Sequence, residues 1–166
     1  GYPYKNIING IIYKEDKKIN LPEVLFKEFN IPTYLRNDVK CSALCEKNIG
    51  SLKKYDNCIF ITLGTGIGGA YFYKNELVVP NKFQGFEIGH MVIETDGRQC
   101  KCGRKGCFEE YASMRIFRKE IAQLFNLEKI DSYKMFQILE SQEKQEEVDK
   151  IIEQYTDYLC IGLSNI

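Results

Sequence analysis

Apolar positions fall into short β-branched runs in the first half of the chain and wide helical stripes in the last third. Ile7-Ile8-Asn9-Gly10-Ile11-Ile12 reads as strand and turn. Leu21-Pro22, followed by Val24, Leu25 and Phe29, predicts a short helix with proline in its first turn. Ile31-Pro32-Thr33-Tyr34-Leu35 should be extended, because the residue before proline avoids the helical region. Asn37-Asp38 opens a second helix, with Val39, Ser42, Ala43, Glu46 and Lys47 at helical spacing and Gly50 as its terminator. Cys58-Ile59-Phe60-Ile61-Thr62-Leu63 has the character of a buried strand. It runs into Gly64-Thr65-Gly66-Ile67-Gly68-Gly69 and a second strand, Ala70-Tyr71-Phe72-Tyr73, which turns at Asn75-Glu76 and pairs back through Leu77-Val78-Val79. Residues 81–107 are glycine-rich and irregular, and so long a structureless stretch is usually functional. Residues 108–125 read as one helix, and Val148, Ile151, Ile152, Tyr155 and Leu159 as the stripe of another. Between them residues 141–149 read as a charged, solvated face or loop.

Composition narrows the classes. Basic and acidic side chains number 23 each, so no global field draws the chain to nucleic acid or to an acidic membrane. With 44% hydrophobic residues and four prolines it is not a disordered chain, and no apolar run approaches a membrane span. Gly1-Tyr2-Pro3-Tyr4 does not open a signal peptide. A length of 166 residues suits one domain, or one lobe of a larger protein. The seven cysteines, an odd number with three clustered, fit a reduced, cytoplasmic setting and a metal site better than a disulfide framework.

That cluster is the sharpest chemical signal. His90, Cys100, Cys102 and Cys107 form H-x9-C-x-C-x4-C, with Gly103 and Gly106 inside the knuckle. Three thiolates and one imidazole are a standard tetrahedral set for structural Zn²⁺, and the glycines permit the tight turns. Arg98, Lys101, Arg104 and Lys105 would favour thiolate over thiol. Cys41, Cys45, Cys58 and Cys160 instead sit in apolar patterns and read as small core residues.

The loop at 64–69 is no Walker A motif, since no Gly-Lys-Ser/Thr follows, and it does not open a helix as a dinucleotide fingerprint would. It is either a tight hairpin that needs glycine or a turn whose amides cradle phosphate, with Thr65 adding a hydroxyl. Asp38 is either an N-cap or a general base at a helix start. Glu87 lies three residues before His90 and Glu109 two after Cys107, so a zinc knuckle would gather both carboxylates near one point, suited to a polyhydroxylated ligand.

Four motifs occur in order: Asn37-Asp38-Val39; Leu63-Gly64-Thr65-Gly66-Ile67-Gly68-Gly69; Glu87-Ile88-Gly89-His90; and Cys100-Lys101-Cys102-Gly103-Arg104-Lys105-Gly106-Cys107-Phe108-Glu109. Together they resemble the ROK family of bacterial sugar kinases, of glucokinase and N-acetylmannosamine kinase type, and related sugar-responsive repressors. The resemblance implies an α/β, ribonuclease-H-like (actin-type ATPase) sugar-kinase fold, present in part, with a zinc-stabilised loop. Residues 1–36 would be the remainder of the N-terminal lobe, and residues 37–166 the start of the C-terminal lobe, stopping before the adenosine motif. It implies ATP-dependent phosphorylation of a hexose or N-acetylhexosamine with Asp38 as catalytic base. Asn37, Asp38, Glu87, His90 and Glu109 would hold the sugar, and Gly64, Thr65, Gly66 and Gly68 the nucleotide phosphates. His90, Cys100, Cys102 and Cys107 would hold Zn²⁺, and the complete protein would use ATP and Mg²⁺. Two positions depart from the family pattern: Phe86 stands where glycine is usual and would narrow the sugar pocket, and Lys40 where a small or amide residue is common. The family's first phosphate loop and its adenosine motif are expected outside this chain, which alone should then be inactive. The alternatives are the effector domain of a repressor, or a zinc-stabilised carbohydrate-binding module. Relatives are often homodimers, which an apolar stripe at 148–163 would permit.

Overall fold

The structure, a computed structural model, describes residues 7–8, 11–14, 17–34, 36–79 and 86–166. The sequence expectations for residues 1–4, Asn9-Gly10, Leu35 and 81–85 lie outside them. The chain divides into two compact units, one within residues 1–54 and 101–103, the other within 55–100 and 104–166.

In the first unit, strands β1 (Ile7–Ile8), β2 (Ile11–Lys14) and β3 (Lys17–Asn20) form an antiparallel sheet in sequence order. Helix α1 (Leu21–Phe29) follows directly; the Asn20 side chain accepts from the Glu23 amide, and Asn30 closes the helix at φ 53°. Residues 30–34 carry no regular element, in keeping with Pro32. Helix α2 (Asp38–Ile49) is capped by Asn37, whose side-chain oxygen accepts from the Lys40 amide at 3.0 Å, and it ends at Gly50.

The second unit begins with a hairpin sheet of β4 (Cys58–Leu63), β5 (Ile67–Tyr73) and β6 (Glu76–Leu77), paired in that order. Strand β4 has the predicted bounds. Strand β5 starts three residues earlier than the glycine content suggested, because Leu63 pairs with Ile67 and the turn is only Gly64-Thr65-Gly66. The next turn is Lys74-Asn75, both at positive φ, not Asn75-Glu76. Val78 and Val79 do not extend β6.

Residues 86–107 contain one 3₁₀ turn, Ile88–His90, and otherwise hold together through isolated bridges, Val92 with Cys107 and Gln99 with Lys105. The helix expected over residues 108–125 is two helices, α3 (Glu109–Ala112) and α4 (Met114–Leu124), separated at Ser113, which is extended. The break has a tertiary cause: the Met114 amide donates to the Gly64 carbonyl at 3.0 Å instead of to its own helix. Helix α5 (Ser132–Ser141), capped by Asp131, was not foreseen. Helix α6 (Gln145–Ser164) takes in most of the stretch expected as a charged, solvated face or loop: residues 145–149 are a helical face exposed except at Val148, and the loop part is a turn at residues 142–144.

Two apolar clusters hold this unit. Phe117, Ile121, Met135, Ile138 and Val148 join α4, α5 and α6. Ile67, Ile88, Phe108 and Ala112 join β5, the 3₁₀ turn and α3, with Tyr158 and Leu159 of α6 against them. Burying a side chain such as Phe108 contributes about 1.5–3 kcal/mol. Much of the stripe on α6 is therefore internal; Ile152, Ile161 and Leu163 remain exposed. The reading of Cys41, Cys45 and Cys160 as core residues is overturned, since all three are exposed, and Cys58 is half-buried. The buried face of α2 is Lys40, Ala43 and Lys47. On a helix, positions 41 and 45 turn away from that face.

Candidate functional site

The knuckle is built by backbone pairing before any side chain acts. The Cys100 amide donates to the Arg104 carbonyl, Gly106 to Arg98, Ile93 to Gly106, and Phe108 to Met91, at 2.8–2.9 Å. Gly103 and Gly106 supply the left-handed turns at φ 89° and 73°. Cys100 and Cys107 are thereby buried, at 2% and 0% exposure, and the 3₁₀ turn delivers His90 beside them. One donor atom from each of His90, Cys100, Cys102 and Cys107 lies within 4.8 Å of the others.

The spacing suits zinc. Zn–S bonds near 2.3 Å and Zn–N near 2.0–2.1 Å place tetrahedral sulfur and nitrogen ligands about 3.6 Å apart. Cys100 Sγ and His90 Nδ1 are 3.6 Å apart. A metal on Nδ1 would leave the ring proton on Nε2, where it can be donated to a ligand oxygen.

Glu109, at the start of α3, lies against this cluster. Its Oε1 is 3.6 Å from His90 Nδ1 and 3.7 Å from Cys100 Sγ. Its other oxygen faces the glycine turn, where a Cβ added to Gly66 would sit 2.6 Å from Oε2. Glu109 therefore stands between the metal cluster and the turn. Glu87 precedes the 3₁₀ turn and is exposed.

Within the turn, all three carbonyls are engaged. Gly64 accepts from the Met114 amide at 3.0 Å, Thr65 from Arg115 Nε at 3.3 Å, and Gly66 from the Gly64 amide at 3.0 Å. The amides of Thr65 and Gly66 have no acceptor among the described residues. Acceptors are thus drawn off and two donors are left open, the arrangement an anion needs. Gly68 is not part of the turn; it lies in β5 opposite Thr62.

In the first unit the N-cap of α2 is Asn37, so Asp38 does not take the capping role that was one of its two sequence readings. Its Oδ1 is committed to the Lys40 amide, leaving the Nδ2 donor for a ligand. Asp38 is the first residue of α2 and exposed, and one carboxylate oxygen accepts from the Val39 amide at 2.9 Å.

Phe86, where glycine is usual, has φ 59°, a conformation that favours glycine. Its ring stacks on Tyr71 with centroids 5.9 Å apart and packs beside the second apolar cluster.

The ROK family profile matches residues 4–166. The chain belongs to the ROK family. It is 31% identical over 163 residues to a β-glucoside kinase of Listeria monocytogenes, covering 96% of this chain and 53% of that protein. It is 32% identical over 124 residues to the xylose repressor of Bacillus subtilis, covering 69% of this chain and 32% of the repressor. Among solved structures, a ROK glucokinase from Streptomyces griseus in complex with glucose and AMPPNP superposes with a TM-score of 0.62 at 30% identity, over 71% of this chain and 39% of that one. The chain thus spans about half or less of the length of these relatives. Its mixed α/β architecture has a ROK sugar kinase as structural neighbour. Among the described residues no helix is long and apolar enough to cross a membrane.

Two side chains of the site in this ROK chain escaped the sequence reading, Glu110 and Arg115, and Arg98, read there only as a charge beside the cysteines, tethers them. Arg98 Nη1 donates to the Glu110 carbonyl at 2.9 Å, and Arg115 pairs with the Glu110 carboxylate at 2.8 Å. Glu110 and Arg115 are five apart across a helix break, a separation that no helical spacing rule flags.

Proposed function

We propose that the protein carrying this chain transfers the γ-phosphoryl group of ATP to a hydroxyl of a hexose or N-acetylhexosamine, on an actin-type ATPase fold. The observation that supports it most is the 64–66 turn, whose carbonyls are all engaged while the Thr65 and Gly66 amides stay open. Kinases among the relatives, one crystallised with glucose and AMPPNP, support sugar and nucleotide as its ligands.

Phosphoryl transfer asks a protein chiefly for alignment and charge neutralisation. Asp38, with one carboxylate oxygen held by the Val39 amide, accepts the proton of the attacking sugar hydroxyl as the O–P bond forms and the bond from the γ-phosphorus to its bridging oxygen breaks. The open amides of Thr65 and Gly66 hold phosphate oxygens of the donor. On the family resemblance, Asn37 through Nδ2 is a ligand for sugar hydroxyls, and so are Glu87, His90 and Glu109. In the complete protein, charge neutralisation at the phosphates would come from Mg²⁺. Zn²⁺ would be held by His90, Cys100, Cys102 and Cys107 and would supply rigidity to the segment carrying His90 and Glu109. The seven cysteines, with no disulfide among them, suit a reducing, cytoplasmic setting.

The similarity to a xylose repressor supports a second reading, a sugar-sensing effector domain without catalysis. An ATP-dependent assay of the full-length protein over a panel of hexoses and N-acetylhexosamines separates the two. A kinase phosphorylates at least one; sugar binding by calorimetry without phosphoryl transfer establishes the sensor. In the kinase case Asp38→Asn should lower kcat about 10²–10⁴-fold while sugar affinity is retained, since loss of a general base costs on that order.

A further inference from the structure

Arg115 occupies a place that a helix does not favour for a cation. It is the second residue of α4, where the helix dipole presents partial positive charge. What holds it there is Glu110, a carboxylate only 7% exposed, whose Oε2 meets Arg115 Nη2 at 2.8 Å. The same guanidinium donates through Nε to the Thr65 carbonyl at 3.3 Å. One residue earlier, the Met114 amide takes the Gly64 carbonyl at 3.0 Å. Two successive carbonyls of the turn are therefore drawn toward the start of α4, and Arg115 supplies the one charged donor of the pair. Glu110 is itself tethered, since its main-chain oxygen receives Arg98 Nη1, and Arg98 also pairs with Glu120 on α4 at 3.0 Å.

We propose that Arg115, held by Glu110, is a positioning residue for the phosphoryl donor: it fixes the Thr65 peptide with its carbonyl turned away and so leaves the amides of Thr65 and Gly66 facing the phosphate oxygens. This rests on the reading of that turn as a phosphate-binding element. Arg115 itself touches neither donor nor acceptor. Without its guanidinium the Thr65 carbonyl loses its donor, the peptide is released to rotate, and an acceptor dipole can swing toward the anion. Glu110 removes the alternative of a freely moving arginine, because its buried carboxylate would be left unpaired if Arg115 swung out. The device acts on the donor side of the reaction and leaves the sugar-binding side chains in place.

The test is steady-state kinetics on the full-length protein and its Arg115→Gln, Arg115→Lys and Glu110→Gln variants, with KM measured separately for ATP and for the sugar, beside thermal melts. Losing a charge-assisted hydrogen bond at the turn should raise KM for ATP about tenfold or more in Arg115→Gln. The sugar KM should stay within about twofold, since an interaction confined to one ligand moves that ligand's constant alone. Arg115→Lys keeps the charge beside Glu110 without the planar fork and should recover only part of the loss. Glu110→Gln should move ATP KM in the same direction. Should Arg115→Gln fail to fold, the lysine and glutamine variants carry the same comparison. An unchanged ATP KM in the folded variants overturns the assignment. So does an equal rise of both KM values in step with a lowered melting temperature, which marks a merely structural pair. Failure of the wild-type protein to phosphorylate any sugar is a separate outcome: it removes the phosphate-binding reading of the turn and the positioning role with it.

Discussion

Gly106 stands at φ 73°, and a Cβ there would run into the Glu94 carbonyl oxygen. Its own amide and carbonyl are both used, by Arg98 and Ile93, so the peptide cannot shift without unpicking the knuckle. Gly103 has φ 89° but open space around its Cβ position. Gly106→Ala should therefore destabilise by about 2–4 kcal/mol, combining backbone strain with the clash, and Gly103→Ala by about 1–2 kcal/mol from the backbone alone. Thermal melts of both variants, with zinc affinity from a chelator competition, check this; equal losses at the two positions would refute the steric account. The knuckle was legible because the spacing of glycine and cysteine records backbone demands directly. The outer cysteines were not, because the buried face of α2 is Lys40, Ala43 and Lys47, only one of them apolar. Lysine stems cover that face, and Lys47 Nζ donates to the Leu52 carbonyl at 3.4 Å, so apolar content points to the wrong side of that helix.

Among the elements, strand β4 and helix α2 came out of the sequence nearly residue for residue, since each is an uninterrupted pattern ended by glycine. Helices α3 and α4 did not. Apolar spacing runs straight through Ser113, and the Met114 amide is captured by Gly64, fifty residues earlier, a tertiary bond that local pattern does not encode. Helix α5 was missed because apolar residues lie on more than one side of it: Met135 and Ile138 are buried, while Tyr133 and Phe136 are exposed. The Asp131 side chain accepting from the Lys134 amide at 2.7 Å marks its start and was the signal available. Helix α6 meets the ring of Phe108, itself fully buried, at Gly162, where an added Cβ would overlap three ring carbons. Glycine here serves close approach between helix and ring. Gly162→Ala gains helix propensity worth about 1 kcal/mol but must push Phe108 out of place, and overpacking costs about 1–3 kcal/mol, more where the ring cannot yield. The ring is enclosed by Ile67, Ile88 and Ala112, so the second effect should win. A lowered melting temperature is expected, and a raised one would mean that α6 slides freely over Phe108.

At the scale of the whole molecule, the metal ligands and the larger apolar cluster belong to different stretches of sequence. The donors lie between residues 90 and 107, whereas Phe117, Ile121, Met135, Ile138 and Val148 all follow residue 107. The knuckle also has supports that need no metal. Arg98 lies over the Tyr111 ring, 4.7 Å from its centroid, and bonds Glu110 and Glu120, while Val92 and Cys107 form a bridge. Zinc removal should then loosen residues 86–107 without dissolving α4, α5 and α6. We expect about one zinc per chain by elemental analysis. Chelation should lower the melting temperature and raise amide exchange in residues 86–107, with the helical circular dichroism retained. The loss should be smaller in effect than for a zinc finger, which has no other core to fall back on. Cys107→Ser, removing the most buried donor, should reproduce the chelated state and abolish stoichiometric zinc. Complete loss of helical signal on chelation would show that the metal, and not the apolar clusters, carries the stability of this unit. Absence of zinc in protein purified without chelators would instead leave three thiols beside an imidazole and withdraw zinc's part in fixing His90.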